Sequence, residues 1–98
     1  NLARIAALIT PRTRVVQVSH VTAPTGIVMP VDGIARLCRE RGIWFHIDGA
    51  QSAGMMDINV ARQGIDAMAV STQKGLLALY GLGATAGLGL PAGLKLPF

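Results

Sequence analysis

The chain has 98 residues, of which 51% are hydrophobic and 14% are charged, and its formal net charge is +4. A domain this small has a large surface for its volume, and a charged fraction below the usual value of about 25% predicts that part of this surface packs against more protein. The nine basic residues are scattered and do not interleave with aromatic residues, which argues against a nucleic-acid partner. No apolar run reaches the roughly 18 residues of a membrane span, and a single cysteine suits a reducing compartment. We therefore expect residues 1–98 to be part of a larger cytoplasmic protein that contacts neither nucleic acid nor membrane.

The first quarter of the chain predicts a helix followed by a strand. Apolar residues recur at helical spacing over residues 2–9, and Thr10-Pro11 ends this helix because proline disfavours a helical residue before it. The short apolar run at residues 14–18 predicts a strand. It leads to Ser19-His20-Val21-Thr22 and then to a turn at residues 23–26, which contains both proline and glycine.

A second helix and two further strands follow. Residues 31–41 place apolar side chains on one side, and Gly42 suits the position just after a helix. The runs at residues 43–47 and 67–70 are nearly continuous in apolar character, which is typical of buried strands. Between them, residues 60–63 predict a short helical turn. A further strand at residues 84–90 is weakened by the glycines inside it.

The alternation of strands and helices predicts an α/β fold with a mostly parallel sheet and helices on both faces. The adjacent strands are expected at Val15–Val18, Trp44–Ile47 and Ala67–Val70. About 20 residues separate the last two strands, which is enough for the crossover that parallel neighbours need.

An acidic and a basic side chain follow two of these strands. Asp48 comes directly after the run at residues 43–47, and Lys74 comes shortly after the run at residues 67–70. Parallel strands end at the same edge of a sheet, where open α/β folds bind ligands, so Asp48 and Lys74 are predicted to face one crevice. The alternative is that Asp48 caps the following turn and that Lys74 is a solvated charge; spacing alone leaves both open.

This pair of side chains suits pyridoxal phosphate. A lysine can form a Schiff base with a carbonyl compound. An aspartate can hold the ring nitrogen protonated, so that the ring withdraws electrons from the α-carbon of the substrate. The small residues after Asp48 would let the flat ring lie against Ala50. Ser71 and Gln73 could donate hydrogen bonds to the phosphate.

Several stretches in order resemble the class V aminotransferase family. They are HIDGAQSAG at residues 46–54, STQK at residues 71–74 and YGLG at residues 80–83, preceded by SHVTAPTG at residues 19–26. The family belongs to the fold-type I pyridoxal-phosphate enzymes and includes cysteine desulfurases, glyoxylate aminotransferases and isopenicillin N epimerase-like proteins. The resemblance spans most of the chain and implies that residues 1–98 are part of the large, cofactor-binding domain of a homodimeric enzyme. Upstream and C-terminal parts of that domain would be missing.

The resemblance implies a role for each matching residue. Asp48 would pair with the pyridinium nitrogen, Ala50 would pack on one face of the ring, and Gln51 would reach the phenolic oxygen. Lys74 would form the Schiff base and shuttle the α-proton, which makes Lys74 and Asp48 the expected catalytic residues.

The remaining matches concern the phosphate and the choice of reaction. Ser71 and Gln73 would bind phosphate, and Thr22 would contribute weakly. Gln73 stands where many desulfurases have histidine, and Ala23 stands where they commonly have asparagine. Both departures favour an aminotransferase that moves an amino group from an amino acid to a 2-oxo acid. The DGAQ loop favours a cysteine desulfurase, which remains an alternative together with an epimerase.

The two histidines and the cysteine are not predicted to bind a ligand. His20 and His46 are interpreted as packed or hydrogen-bonded histidines, and no metal site is expected because no third ligand lies at metal-binding spacing. Cys38 is predicted to lie in the core, and the resemblance implies that a sulfur-accepting cysteine would lie beyond Phe98. An alternative from another class is a non-catalytic doubly wound binding domain, although no G-x-G-x-x-G turn follows a strand here.

Overall fold

The fold was obtained as a computed structural model, which describes residues 2–76. Its elements are α1 (Leu2–Leu8), β1 (Val15–Ser19), α2 (Val31–Arg41), β2 (Trp44–Asp48), α3 (Val60–Gln63) and β3 (Ala67–Ala69). Helices α2 and α3 have the predicted bounds, and the other four elements differ from prediction by one residue at an end. The predicted strand at residues 84–90 lies outside the described residues.

The three strands form one parallel sheet in the order β1-β2-β3. Val15 lies opposite Trp44 at one end of the sheet, and Asp48 lies between Ser19 and Ala69 at the other end. Both crossovers contain a helix, as parallel neighbours require. The predicted α/β class, the parallel pairing and the adjacency of these strands are confirmed.

The core lies between the sheet and helix α2. Phe45 and Ile47 are fully buried on one face of β2, and the four buried residues of α2 are Val31, Ile34, Ala35 and Cys38. This spacing places one stripe of the helix against the sheet. Val16, Val18 and Met68 from the flanking strands and Ile5 and Ile9 from the α1 region pack against the same cluster.

Proline and glycine delimit helix α2. Pro30 precedes its first residue, and Gly42 after its last residue has a φ of 65°, a left-handed conformation that glycine adopts at little cost. The Gly42 N–H donates to the carbonyl of Arg39 at 3.3 Å, and the Ile43 N–H donates to that of Cys38 at 2.8 Å. These bonds satisfy two of the free carbonyls and turn the chain directly into β2.

The second face of the sheet is largely open. Val15 and Trp44, which are partners in the register, are 53% and 48% exposed, and His46 and Asp48 alternate onto this face from β2. Among residues 2–76, the packing of helices is found on the core face. Coverage of the open face by further helices therefore stays a prediction.

Candidate functional site

The backbone joins the three strand ends beyond the sheet itself. The His20 N–H donates to the Asp48 carbonyl at 2.9 Å, and the Gly49 N–H donates to the Ala69 carbonyl at 2.7 Å. The loops that follow β1, β2 and β3 therefore start side by side at the carboxyl edge. This is the edge at which the sequence predicts a crevice.

Asp48 is half-buried at the end of β2, on the open face. One carboxylate oxygen, Oδ1, accepts a hydrogen bond from the Ala50 N–H at 2.9 Å. Such an Asx turn holds the carboxylate in one orientation. No partner is recorded for the second oxygen within residues 2–76, so it is available to a ligand. The alternative interpretation, that Asp48 caps the following turn, is thus correct for one oxygen and leaves the other free.

The loop after Asp48 is closed by its own backbone. The N–H groups of Ser52 and Ala53 donate to the Gly49 carbonyl, and both residues are buried. A Cβ atom at Gly49 would overlap the end of the Met68 side chain and lie 3.3 Å from the Ala69 carbonyl oxygen. Ala50 and Gln51 are half-buried between these points. The small residues therefore keep the loop close to β3.

Lys74 lies in a turn over residues 72–76 that follows β3, and its side chain is exposed. This turn touches the loop after Asp48 through two glycines. A Cβ at Gly54, whose φ is 82°, would meet the Gly75 carbonyl oxygen at 2.5 Å, and a Cβ at Gly75 would overlap the Ala53 carbonyl oxygen. The backbone contact brings the Lys74 turn and the Asp48 loop to the same edge. Ser71 and Gln73 are half-buried on either side of Thr72.

Thr22 lies at the same edge, but its hydroxyl is engaged locally. It accepts from the Ile27 N–H at 3.1 Å and shares a hydrogen bond with the hydroxyl of Thr25. The Gly26 N–H donates to the Thr22 carbonyl at 2.7 Å and closes the turn. The weak role in phosphate binding that the resemblance implies for Thr22 stays a prediction.

Two histidines carry unpaired nitrogens that sequence reasoning missed. His20, next to the end of β1, is 2% exposed, and the Nδ1 atoms of His20 and His46 are buried without a hydrogen-bond partner in the described residues. Burial lowers the pKa of His20, and the nearby Asp32 carboxylate opposes this effect. His46 stacks on Trp44, with 6.3 Å between the ring centroids. The position of His20 just after β1 and of His46 within β2 was visible in the sequence, but the missing partners depend on tertiary packing.

Cys38 is a core residue, as predicted. It is 1% exposed on α2, and burial, aided by the Asp66 carboxylate, raises the pKa of its thiol. A neutral, buried thiol is a poor nucleophile. Cys38 therefore takes no part in the site.

The described residues contain neither a candidate metal site nor a candidate membrane-spanning helix. Within residues 2–76, no three histidine, cysteine, aspartate or glutamate side chains are grouped so that they could hold a metal ion. In the same part of the chain, no helix combines the length and the apolar character needed to cross a membrane.

The donor set at the edge fits pyridoxal phosphate. It combines a free carboxylate oxygen for a protonated ring nitrogen, an exposed amine for an aldehyde, and hydroxyl and amide donors near the amine for a phosphate. The small side chains of the loop after Asp48 let a flat ring lie close to the loop backbone.

Comparisons with known proteins agree with this chemistry. The sequence profile of the family described as aminotransferase class-V matches residues 1–88. The chain is 38% identical over 84 residues to a cysteine desulfurase IscS of Shewanella oneidensis, covering 81% of the chain and 21% of the relative. It is 38% identical over 76 residues to a probable mitochondrial cysteine desulfurase of Dictyostelium discoideum, covering 78% of the chain and 17% of the relative.

Solved structures give the same result. The chain resembles an apo cysteine desulfurase of Thermococcus onnurineus NA1 with a TM-score of 0.71 and 32% identity, over 76% of the chain and 18% of that structure. It also resembles SspA in complex with cysteine, with a TM-score of 0.70 and 32% identity, over 72% of the chain and 20% of that structure. The chain thus spans about one fifth of the length of these relatives.

Proposed function

Because this chain belongs to the class V aminotransferase family, whose members use pyridoxal phosphate, we propose that it forms part of the cofactor-binding domain of a cysteine desulfurase. In this proposal the full-length enzyme transfers the sulfur of L-cysteine to an acceptor thiol, which becomes a persulfide, and leaves alanine. The observation that carries the proposal is the common edge of the sheet, where the Asp48 loop and the Lys74 turn are in backbone contact. The relatives named above support cysteine as the substrate.

In this proposal Asp48 would hold the cofactor in one orientation and keep its ring nitrogen protonated. The Ala50 N–H fixes one carboxylate oxygen. The other oxygen would accept a hydrogen bond from a protonated ring nitrogen. When bound, the cofactor supplies an electron sink for the α-carbon of an amino acid substrate. A carboxylate that is held in place pays little to reorganise when charge develops near it.

Lys74 supplies the amine that attaches the cofactor and then moves a proton. Its position in an exposed turn gives the Nζ atom freedom to reach the ring side of the edge. An amine acts as a general base in its neutral form, so the proton leaves the substrate for the Nζ atom of Lys74. Both roles need the Lys74 turn to stay against the Asp48 loop.

Five further residues complete the proposed cofactor site. Ala50 would pack on the ring, Gln51 would donate to the phenolic oxygen, and Ser71 and Gln73 would donate to the phosphate; Thr22 would contribute weakly, since its hydroxyl already bonds within its own turn. These residues lie on the loops after the three strands, so one bound group could contact all three.

An aminotransferase is the second candidate. Gln73 and Ala23 favour it, because both differ from the residues common in desulfurases. The buried thiol of Cys38 cannot accept sulfur, so a desulfurase of this chain must take its sulfur acceptor from elsewhere. The amino acid substrate is shared by the two candidates, and the fate of its side chain distinguishes them.

Borohydride trapping of the full-length protein tests the cofactor site. Reduction in the presence of pyridoxal phosphate, followed by peptide mapping, is expected to leave a pyridoxyl group on Lys74, and Lys74→Ala is expected to remove it. Lys74→Arg is the matched control, because it keeps the positive charge but cannot form the bond. An adduct that persists on the same peptide in Lys74→Ala would refute the assignment.

Product analysis tests the reaction. With L-cysteine and a thiol reductant, the proposal expects sulfide and alanine in equal amounts, and Asp48→Asn is expected to lower the rate by at least about a hundredfold, the range of one lost electrostatic contact. Formation of a new amino acid from a 2-oxo acid, without sulfide, would favour the aminotransferase instead.

A further inference from the structure

Residues 70–74 carry the proposed phosphate donors and the amine, and the loop after Asp48 holds this segment at both ends. At the start of the segment, the Gly49 N–H donates to the Ala69 carbonyl at 2.7 Å. At its end, the backbone of Gly75 lies against the same loop. One loop therefore fixes the chain before and after the residues that would contact the cofactor.

The second of these contacts is a close approach of two backbones and needs glycine on both sides. A Cβ atom at Gly75 would overlap the Ala53 carbonyl oxygen and lie 2.8 Å from Cγ of Met55. A Cβ atom at Gly54 would lie 2.5 Å from the Gly75 carbonyl oxygen and 2.9 Å from the Leu76 nitrogen. These neighbours are backbone atoms or the inner part of a side chain, so in a packed structure an added Cβ has to displace the loop or the turn.

The loop side of this contact holds its shape by itself. The N–H groups of Ser52 and Ala53 donate to the Gly49 carbonyl at 3.1 and 2.9 Å, and those of the two methionines after Gly54 donate to the Ser52 carbonyl at 2.9 and 3.0 Å. Ser52 is fully buried and Ala53 is 6% exposed. The Lys74 turn is thus placed against a fixed surface, and an added Cβ moves the turn rather than the loop.

We propose that Gly54 and Gly75 are positioning residues, which set where the Lys74 amine meets the aldehyde of pyridoxal phosphate; this inference rests on the proposed function. In the attachment step the neutral amine forms a double bond to the aldehyde carbon, and the aldehyde oxygen leaves as water with the two amine protons. A misplacement of about 1 Å between reacting groups costs up to about a hundredfold in rate. Lys74 is next to Gly75 in the chain, so a displacement of Gly75 passes directly to the amine.

A displaced Gly75 should affect the amine more than the phosphate donors. The bond between Gly49 and Ala69 still fixes the start of the segment, so the displacement decreases from Lys74 towards Ser71. The two effects can be measured separately, because pyridoxamine phosphate has the same ring and phosphate as pyridoxal phosphate but no aldehyde. A general loss of structure would instead weaken the binding of both compounds.

Attachment and binding measured on the full-length protein test the proposal. Attachment is followed at saturating pyridoxal phosphate by quenching with borohydride at a series of times and mapping the pyridoxyl group on Lys74. For Gly75→Ala we expect attachment to be at least about tenfold slower, because the amine is misplaced. The affinity of the same variant for pyridoxamine phosphate is expected to stay within about threefold of that of the unmodified protein, because the ring and phosphate contacts remain.

Gly54→Asn tests the other side of the contact and is expected to give the same selective loss. Gly54 has a φ of 82°, which asparagine tolerates better than most residues, so the contact of the new Cβ with Gly75 dominates the effect. Gly42→Asn is the matched control. Gly42 also has a positive φ, of 65°, but a Cβ there meets no atom within 4 Å, and attachment and affinity are expected to stay within about twofold.

The outcomes separate this inference from the proposed function. Unchanged attachment in Gly75→Ala and Gly54→Asn, or an equal loss of attachment and of pyridoxamine phosphate binding, would overturn the positioning role alone. Absence of a pyridoxyl group on Lys74 in the unmodified protein would overturn both proposals. Should circular dichroism show that neither variant folds, trypsin is applied to the unmodified protein without cofactor. Rapid cleavage after Lys74 would show that the turn is not held before the cofactor binds, and would overturn the inference; slow cleavage is expected, because a protease needs a locally unfolded segment.

Discussion

Gly49 shows how closely a single residue is adjusted to its neighbours. It is buried, its N–H bonds to the Ala69 carbonyl, and an added Cβ would overlap Met68. We expect Gly49→Ala to lower the free energy of unfolding by about 1–3 kcal/mol, the usual cost of an extra carbon in a packed site. Urea denaturation of the full-length protein measures this change.

The matched control is Gly33→Ala within helix α2. There the added Cβ would meet the end of Leu2 at 3.0 Å, and Leu2 is 37% exposed and able to move. An alanine inside a helix is favoured over glycine by about 0.5–1 kcal/mol, so this variant is expected to be neutral or more stable. Equal destabilisation of both variants would contradict the role assigned to the contact between Gly49 and Met68.

His20 predicts a pH dependence of stability. Burial lowers its pKa in the folded protein below the ordinary value of 6.5. As the pH falls below about 6.5 the unfolded chain takes up a proton that the folded protein does not, so the free energy of unfolding falls until the pH passes the lowered pKa. Denaturation at a series of pH values should show this loss, and His20→Gln should show a smaller one. An unchanged pH profile in His20→Gln would show that other groups cause the loss.

Helix α3 has only four residues and depends on its cap. The Asn59 side chain accepts from the Arg62 N–H at 2.9 Å, and the Asn59 N–H donates to Gln63 Oε1 at 2.8 Å. We expect Asn59→Ala to lower the free energy of unfolding by about 1 kcal/mol. Asp57→Asn is the control, because it removes an exposed ion pair with Arg62, and such pairs contribute about 0–1 kcal/mol. A larger loss in Asp57→Asn than in Asn59→Ala, measured by urea denaturation, would contradict the importance of the cap.

Elements were predictable from sequence where local chemistry determines them. Helix α2 has a clear apolar stripe and ends at Gly42, so both of its bounds were found. The parallel order followed from the alternation of elements, and it placed Asp48 and Lys74 at one edge. The bond from Ala50 to Asp48, the contact between Gly54 and Gly75 and the unpaired nitrogen of His20 were not predictable, because each depends on how loops from different strands pack.

At the scale of the whole molecule, the open face of the sheet is the feature that needs more protein. Sheets of parallel strands are almost always covered on both faces, whereas Val15 and Trp44 are about half exposed here. The chain spans about one fifth of its relatives' length, and a protein of their length has further residues that can cover this face. Residues that pack on Trp44 would also restrict the motion of β2, the strand that carries Asp48.

We therefore expect Trp44→Asp to destabilise a protein of the relatives' length by about 3 kcal/mol or more, since a charge would replace a large apolar side chain within an interface. Leu8→Asp is the control, because Leu8 is 79% exposed at the end of α1 and does not lie on the sheet; its loss should stay within about 0.5 kcal/mol. Urea denaturation of both variants shows whether the open face is covered or solvated in the full-length protein. Similar small losses would mean that Trp44 is solvated in the full-length protein, and that Asp48 is held by the Ala50 N–H and its own strand without support from a covering layer.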